Sequence, residues 1–222
     1  MNPQTYDASK KFWVMREDGT RIAVAINEKK ERETMNLNEL FEIQSGLDYH
    51  IVKEKGLEGQ DMLSEKILAL QVELGECANE WRGFKFWSEN QKSNTEALSI
   101  AGNKARRYNP LLEEYVDCLH FILSIGLELG ADKWISKYTE NIGINKAASI
   151  TDYFLEVKYI FLDLGVGIRK QELEPVAIRI IYATGVDQFL NLGKLLGFTW
   201  EQIEQAYLDK NKINHERQNT GY

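Results

Sequence analysis

The sequence predicts an all-α protein built as a helical bundle. Three observations carry that expectation. Apolar residues recur at spacings of three and four almost without interruption from Asn36 onward, which is the period of a helix with one buried face. The chain has only 3 prolines in 222 residues, and one of them, Pro110, stands where a helix would begin. Helix stops and starts then fall at regular points: Gly130, Gly197, and the Thr199 to Gln202 spacing of a capping box.

The first 34 residues read differently. Phe12 to Arg16 and Arg21 to Ile26 flank Glu17-Asp18-Gly19-Thr20, the pattern of a small β-hairpin, and the charged stretch Asn27 to Thr34 reads as a linker, with Met35 an alternative start. Residues 1–34 are therefore expected to be an appendage to a domain spanning residues 35–222. A first helix is expected through Leu37, Leu40, Phe41, Gln44 and Leu47. A second runs from about Met62 to Trp81, with Leu63, Ile67, Leu70, Leu74, Cys77 and Trp81 on one face. Ser88 to Asn109 is polar and reads mostly as loop. A third helix runs from Pro110 to about Leu129. Two more are expected at about Ile150–Leu164 and Glu172–Leu196, and the last begins at Thr199.

Composition limits the function classes. A net charge of -7 speaks against a general nucleic-acid-binding surface, which needs clustered Lys and Arg. No apolar run reaches the roughly 20 residues of a membrane span. A basic-then-apolar secretory leader is not evident either, so the expectation is a cytoplasmic protein. Cys77 and Cys118 sit inside apolar helical patterns and are expected to be reduced core residues.

Two carboxylate pairs stand out. Glu73 and Glu76 are three residues apart in a helix that is apolar on nearly every side, so they lie on one flank of it. Glu114 and Asp117 repeat the spacing in the helix after Pro110, and Ser124 and Glu128 extend the same side with no Lys or Arg among them. Either pair alone reads best as a solvated stripe. Together, on two apolar helices, they are suited to an oxygen-rich cage for Mg²⁺ or Mn²⁺ that would leave room for water and substrate phosphates. A di-iron bundle would need two Glu-x-x-His motifs, and with three histidines only Asp117-x-x-His120 comes near.

Glu73-x-x-Glu76 followed by Glu114-x-x-Asp117 resembles the metal motif of the all-α nucleoside triphosphate pyrophosphatases. More narrowly, the chain resembles the dimeric dUTPases from about Met35 to Tyr222. The stretches Glu73 to Glu80, Phe84-Lys85-Phe86-Trp87, Leu112 to Phe121 and Lys210 to Gln218 carry that resemblance. It implies Mg²⁺-dependent hydrolysis of dUTP to dUMP and pyrophosphate, with dUDP a second candidate substrate, in a homodimer without nucleic-acid or membrane partners. Glu73, Glu76, Glu114 and Asp117 would hold the metal, and Glu73 would also serve the attacking water. Lys210, Asn214 and Arg217 would bind phosphate and sugar. Gln44 would read the base, and Phe84, Lys85 and Trp87 would lie near the nucleotide. Asp48 stands where the family often has an asparagine and takes no role from the resemblance. The rival readings are a broader MazG-like pyrophosphatase, with the same carboxylates and different base contacts, and a non-enzymatic helical interaction protein.

Overall fold

The computed structural model describes residues 11–15, 21–25, 37–101, 104–137 and 149–220. Among the described residues, six helices make the bundle: α1 (Leu37–Lys55), α2 (Leu63–Trp81), α3 (Pro110–Glu128), α4 (Ile150–Arg169), α5 (Pro175–Leu195) and α6 (Trp200–Thr220). Two antiparallel hairpins accompany them. One pairs β1 (Lys11–Met15) with β2 (Arg21–Ala25), and the other pairs β3 (Ala97–Ala101) with β4 (Lys104–Tyr108). The all-α class is therefore as expected, as is the N-terminal strand pair. The expected turn at residues 17–20, the linker at 27–34 and Met35 lie outside the described residues.

The segment read as loop, Ser88 to Asn109, is corrected in its second half. Ala97 to Tyr108 forms the β3–β4 hairpin, with Ala101 opposite Lys104. Only Gly102 and Asn103 separate those partners in sequence, a Gly-Asn pair of the kind that suits two-residue hairpin connections. The polar composition concealed an alternation that needs no buried face: Leu98, Arg106 and Arg107 are all exposed.

Local chemistry sets the helix ends. Asn109 caps α3, its side chain accepting from the Leu112 amide at 3.1 Å, with Pro110 in the first turn. Ser149 and Asp152 form a reciprocal capping box on α4. Thr199 and Gln202 form the expected one on α6: the Thr199 amide donates to the Gln202 side chain at 2.9 Å, and the Gln202 amide to the Thr199 hydroxyl at 3.3 Å. Gly130 and Gly197 both carry positive φ, the conformation expected of glycine past a helix end.

α3 is the central helix, packing against α1, α2, α5 and α6. Its crossing with α5 is reciprocal. Tyr115 of α3 donates its hydroxyl to the Phe189 carbonyl of α5 and fills the space a side chain at Gly193 would take. Tyr182 of α5 donates to the Ile122 carbonyl of α3 and covers Gly126 in the same way. α2 and α4 repeat the reciprocity: Gln71 Nε2 donates to the Lys158 carbonyl at 3.1 Å, and Lys158 Nζ to the Gln71 carbonyl at 2.6 Å. The α2–α3 and α4–α5 pairs enclose a buried core that includes Leu70, Leu74, Leu119, Val157, Phe161 and Phe189. Cys77 and Cys118 are buried and unpaired by disulfide, as expected. None of the described helices is long and apolar enough to cross a membrane.

Candidate metal centre and nucleotide cavity

The carboxylate pairs meet where α2 packs against α3. Each of Glu73, Glu114 and Asp117 offers one oxygen, and the three oxygens lie within 4.8 Å of one another. Helical spacing explains the convergence. Glu114 and Asp117 share a flank of α3, and Glu73 projects from the facing turn of α2 between the buried residues Leu70, Leu74 and Cys77. Glu76 is one turn further along α2 and exposed, at the rim of the group. It is close enough to help lift the carboxyls of Glu73 and Glu114.

That crowding has an electrostatic signature. Burial, then the charges of Asp117 and Glu76, pushes Glu73 up to about 7. Burial, then Asp117, Glu76 and Glu73, does the same to Glu114. Asp117 is also raised, chiefly by burial, with Lys210 pulling the other way. Like charges held this close off bulk water need a cation between them or a proton on one of them. The donor set is all oxygen and hard, which fits Mg²⁺ or Mn²⁺ and not a soft metal.

A cavity of about 430 Å³ opens beside the group, between α1, α2, α3 and α6. Six of the residues singled out in the sequence line it together: Gln44, Glu73, Asp117, Lys210, Asn214 and Arg217. Glu114 adjoins it through the carboxylate cluster. Lys210 Nζ lies 2.6 Å from Asp117 Oδ2 and 3.1 Å from Glu113 Oε1. These two carboxylates outweigh the opposing effect of burial and hold the ammonium above its usual range. Asn214 and Arg217 follow on the same face of α6, with Arg217 Nη1 3.5 Å from Asn214 Oδ1.

Phe84, Lys85 and Trp87 are not among the residues lining that cavity. They lie in the turns after α2, where Phe84 stacks near Trp81 and sets its edge against Trp87, and Lys85 Nζ reaches the Asn79 carbonyl at 3.5 Å. Trp87 is 65% exposed.

The inner end of the cavity holds a polar network. Gln44 Oε1 accepts from the Tyr207 hydroxyl and from His120 Nδ1, each at 2.8 Å, and Gln44 Nε2 donates to Asp48 Oδ1 at 2.7 Å. Asp48 also accepts from Ser124 Oγ at 2.5 Å and lies 3.5 Å from Lys66 Nζ. Burial raises its carboxyl above the usual range, with Lys66 the main opposing influence. Because Gln44 Oε1 can only accept, His120 carries its proton on Nδ1, and its Nε2 is an acceptor. Burial, then Lys210 and His215, pushes the His120 ring down to about 3, so it is neutral. Its Nε2 is buried with no hydrogen-bond partner among the described residues, on a residue that lines the cavity.

His120, which the sequence reads as a core histidine, and Asp48, which takes no role from the resemblance, both belong to this network, and Tyr207 and Lys66 join it with no signal in the sequence. His120 was signalled by its place three residues after Asp117, on the same flank of α3, where a helical histidine otherwise reads as core. The stripe Glu114, Asp117, Ser124 and Glu128 also divides. Glu128 pairs with Lys66 of α2 at 2.6 Å, so the cation neutralising that end comes from another helix.

A hard-oxygen cluster on α2 and α3, beside a cavity with cationic residues on one wall and a donor-acceptor network at one end, suits an anionic ligand carrying a polar heterocycle. No curated protein matches the chain. The family model described as dUTPase matches residues 36–222, which contain the cluster, the cavity and all six helices of the bundle. The chain belongs to the dUTPase family, whose reaction is the hydrolysis of dUTP.

Proposed function

We propose that the chain is a Mg²⁺-dependent enzyme, with Mn²⁺ a workable substitute, that converts dUTP to dUMP and pyrophosphate and is selective for uracil. The observation that carries this reading is the convergence of Glu73, Glu114 and Asp117 oxygens within 4.8 Å of one another, beside the cavity that Glu73 and Asp117 line. Glu76 completes the ligand set from the rim. The ion, when bound, neutralises phosphate charge and acidifies a bound water.

The protein's own residues do the remaining work. Glu73 orients the attacking water and takes its proton. Lys210 and Arg217 pair with phosphate oxygens and Asn214 with the sugar or a phosphate, so that catalysis is positioning and charge stabilisation. Gln44 belongs to the base-reading end, beside His120. An acceptor at His120 Nε2 meets the N3–H of uracil, whereas cytosine would present a lone pair there. Phe84, Lys85 and Trp87 are nucleotide contacts supplied from outside the cavity wall. The catalytic unit is residues 35–222, with residues 1–34 appended, in a cytoplasmic homodimer; dUDP is a second candidate substrate.

Pyrophosphate release from dUTP, dCTP, dTTP and UTP, each with Mg²⁺ and with EDTA, tests the reading. The expected result is Mg²⁺-dependent turnover of dUTP far above the others. Comparable turnover of several nucleotides would move the protein to the broader pyrophosphatases, and no Mg²⁺-dependent release at all would remove the metal chemistry.

A further inference from the structure

Lys210 occupies an unusual position. Its ammonium lies 2.6 Å from Asp117 Oδ2, so it neutralises one of the three carboxylates that converge as candidate metal ligands. A divalent ion in that group and an ammonium on the same carboxylate repel one another strongly at such a separation. The lysine therefore competes with the ion.

The structure also contains a place for it to go. Glu113 is one helical turn before Asp117 on α3 and accepts from the same Nζ at 3.1 Å. Lys210 lines two cavities, and its two partners divide between them. Asp117 lines the nucleotide cavity, while Glu113 lines a second cavity, also of about 430 Å³, between β4, α3 and α6. Glu201 and Asp209 line that second space with Glu113, against one arginine, Arg106, so the charges around it favour an incoming ammonium.

We infer that Glu113 is a positioning residue: it draws Lys210 off Asp117 when the metal enters and holds the ammonium at the edge of the site. The inference rests on the metal reading of the carboxylate group. Lys210 is then a stand-in cation in the metal-free protein, moderating repulsion among Glu73, Glu114 and Asp117. Glu113 lets it yield without losing its ion pair. The consequence lies in metal affinity before any nucleotide arrives.

The test is Mg²⁺ binding to the full chain by calorimetry, without nucleotide, in the wild type, Glu113→Gln, Lys210→Met and the double variant. Thermal unfolding in EDTA establishes that each is folded. Glu113→Gln is expected to weaken Mg²⁺ binding on the order of fivefold, the size of one partly screened ion pair. In the Lys210→Met background the same change should have little effect, because there is no ammonium left to draw away. Glu113→Asp keeps the charge and withdraws it by one methylene, and should also weaken binding. An equal loss in both backgrounds, or an Asp variant that binds like the wild type, would show that Glu113 acts only through its charge at a distance and would overturn the inference. No change in Glu113→Gln would overturn it too. A wild type that binds no Mg²⁺ would instead remove the metal reading on which it rests.

Discussion

Glu73 and Glu114 show at the scale of single residues how a binding site opposes the stability of its own fold. Both carboxyls are raised from their ordinary value of 4.5 to about 7, first by burial and then by neighbouring carboxylates. Between those values the folded chain holds more protons than the unfolded one, so these groups make stability fall as pH rises through that window. Above about pH 7 their full destabilisation is present. His120, pushed down to about 3, acts in the opposite sense: the unfolded chain takes up its proton first, and stability falls as pH drops below its ordinary value of 6.5. A difference between variants cancels the histidine. In EDTA, Glu73→Gln should therefore unfold at a higher temperature than the wild type near pH 8, and the gain should fade toward pH 5. With Mg²⁺ the order should reverse, because the glutamine is a poorer ligand. Thermal unfolding across that range measures both, and a glutamine variant less stable than the wild type at pH 8 in EDTA would contradict the account.

At the scale of elements, the reciprocal packing of α3 and α5 fixes where the carboxylates of α3 point. A Cβ at Gly126 would lie 2.1 Å from the Tyr182 hydroxyl, and that hydroxyl is committed to the Ile122 carbonyl at 2.9 Å. Gly126→Ala should cost about 1–3 kcal/mol through overpacking. Tyr182→Phe removes the nearest clashing atom, so the double variant should lose less than the sum of the two single changes. Denaturant unfolding of the four proteins measures this, and strict additivity would mean that the glycine matters for another reason. The helices were legible because each has a period, and most have a capping signal, written in adjacent residues. Their C-termini were less so: α1 continues to Lys55 and α4 to Arg169, each past the last apolar residue that had marked the pattern. The β3–β4 hairpin was missed for a related reason. Its stability is in backbone pairing and a short connection, with no buried stripe to announce it. The tyrosine-glycine exchange could not be read at all, since neither partner reveals which helix it will meet.

At the scale of the whole molecule, the carboxylate cluster was legible because its four expected members come from two short motifs, of which Glu73, Glu114 and Asp117 converge, whereas the cavity depended on how distant helices meet. Lys210, Asn214 and Arg217 were found from the tail motif, but the bonds from His120 and Tyr207 to Gln44 join α3 and α6 to α1 and have no local signature. The same scale exposes a surface that the described residues of a single chain leave uncovered. Leu68 and Val72 on α2, and Leu155, Tyr159 and Leu162 on α4, are each more than half exposed. Spacings of three and four put each set on one face of its helix. The exchange between Gln71 and Lys158 holds the two helices side by side, so the stripes are neighbours. Scattered exposed apolar residues need no explanation, but adjoining stripes of them mark an association surface. In the proposed homodimer that surface is where the second copy sits, on the helix that also carries Glu73 and Glu76. Light scattering of the full chain should then give the mass of two chains. Leu155→Lys with Tyr159→Glu should give the mass of one, with helical content retained, because both side chains project from α4 into solvent. A wild type that is monomeric would remove the dimer, and a double variant that remains dimeric would move the interface elsewhere on the bundle.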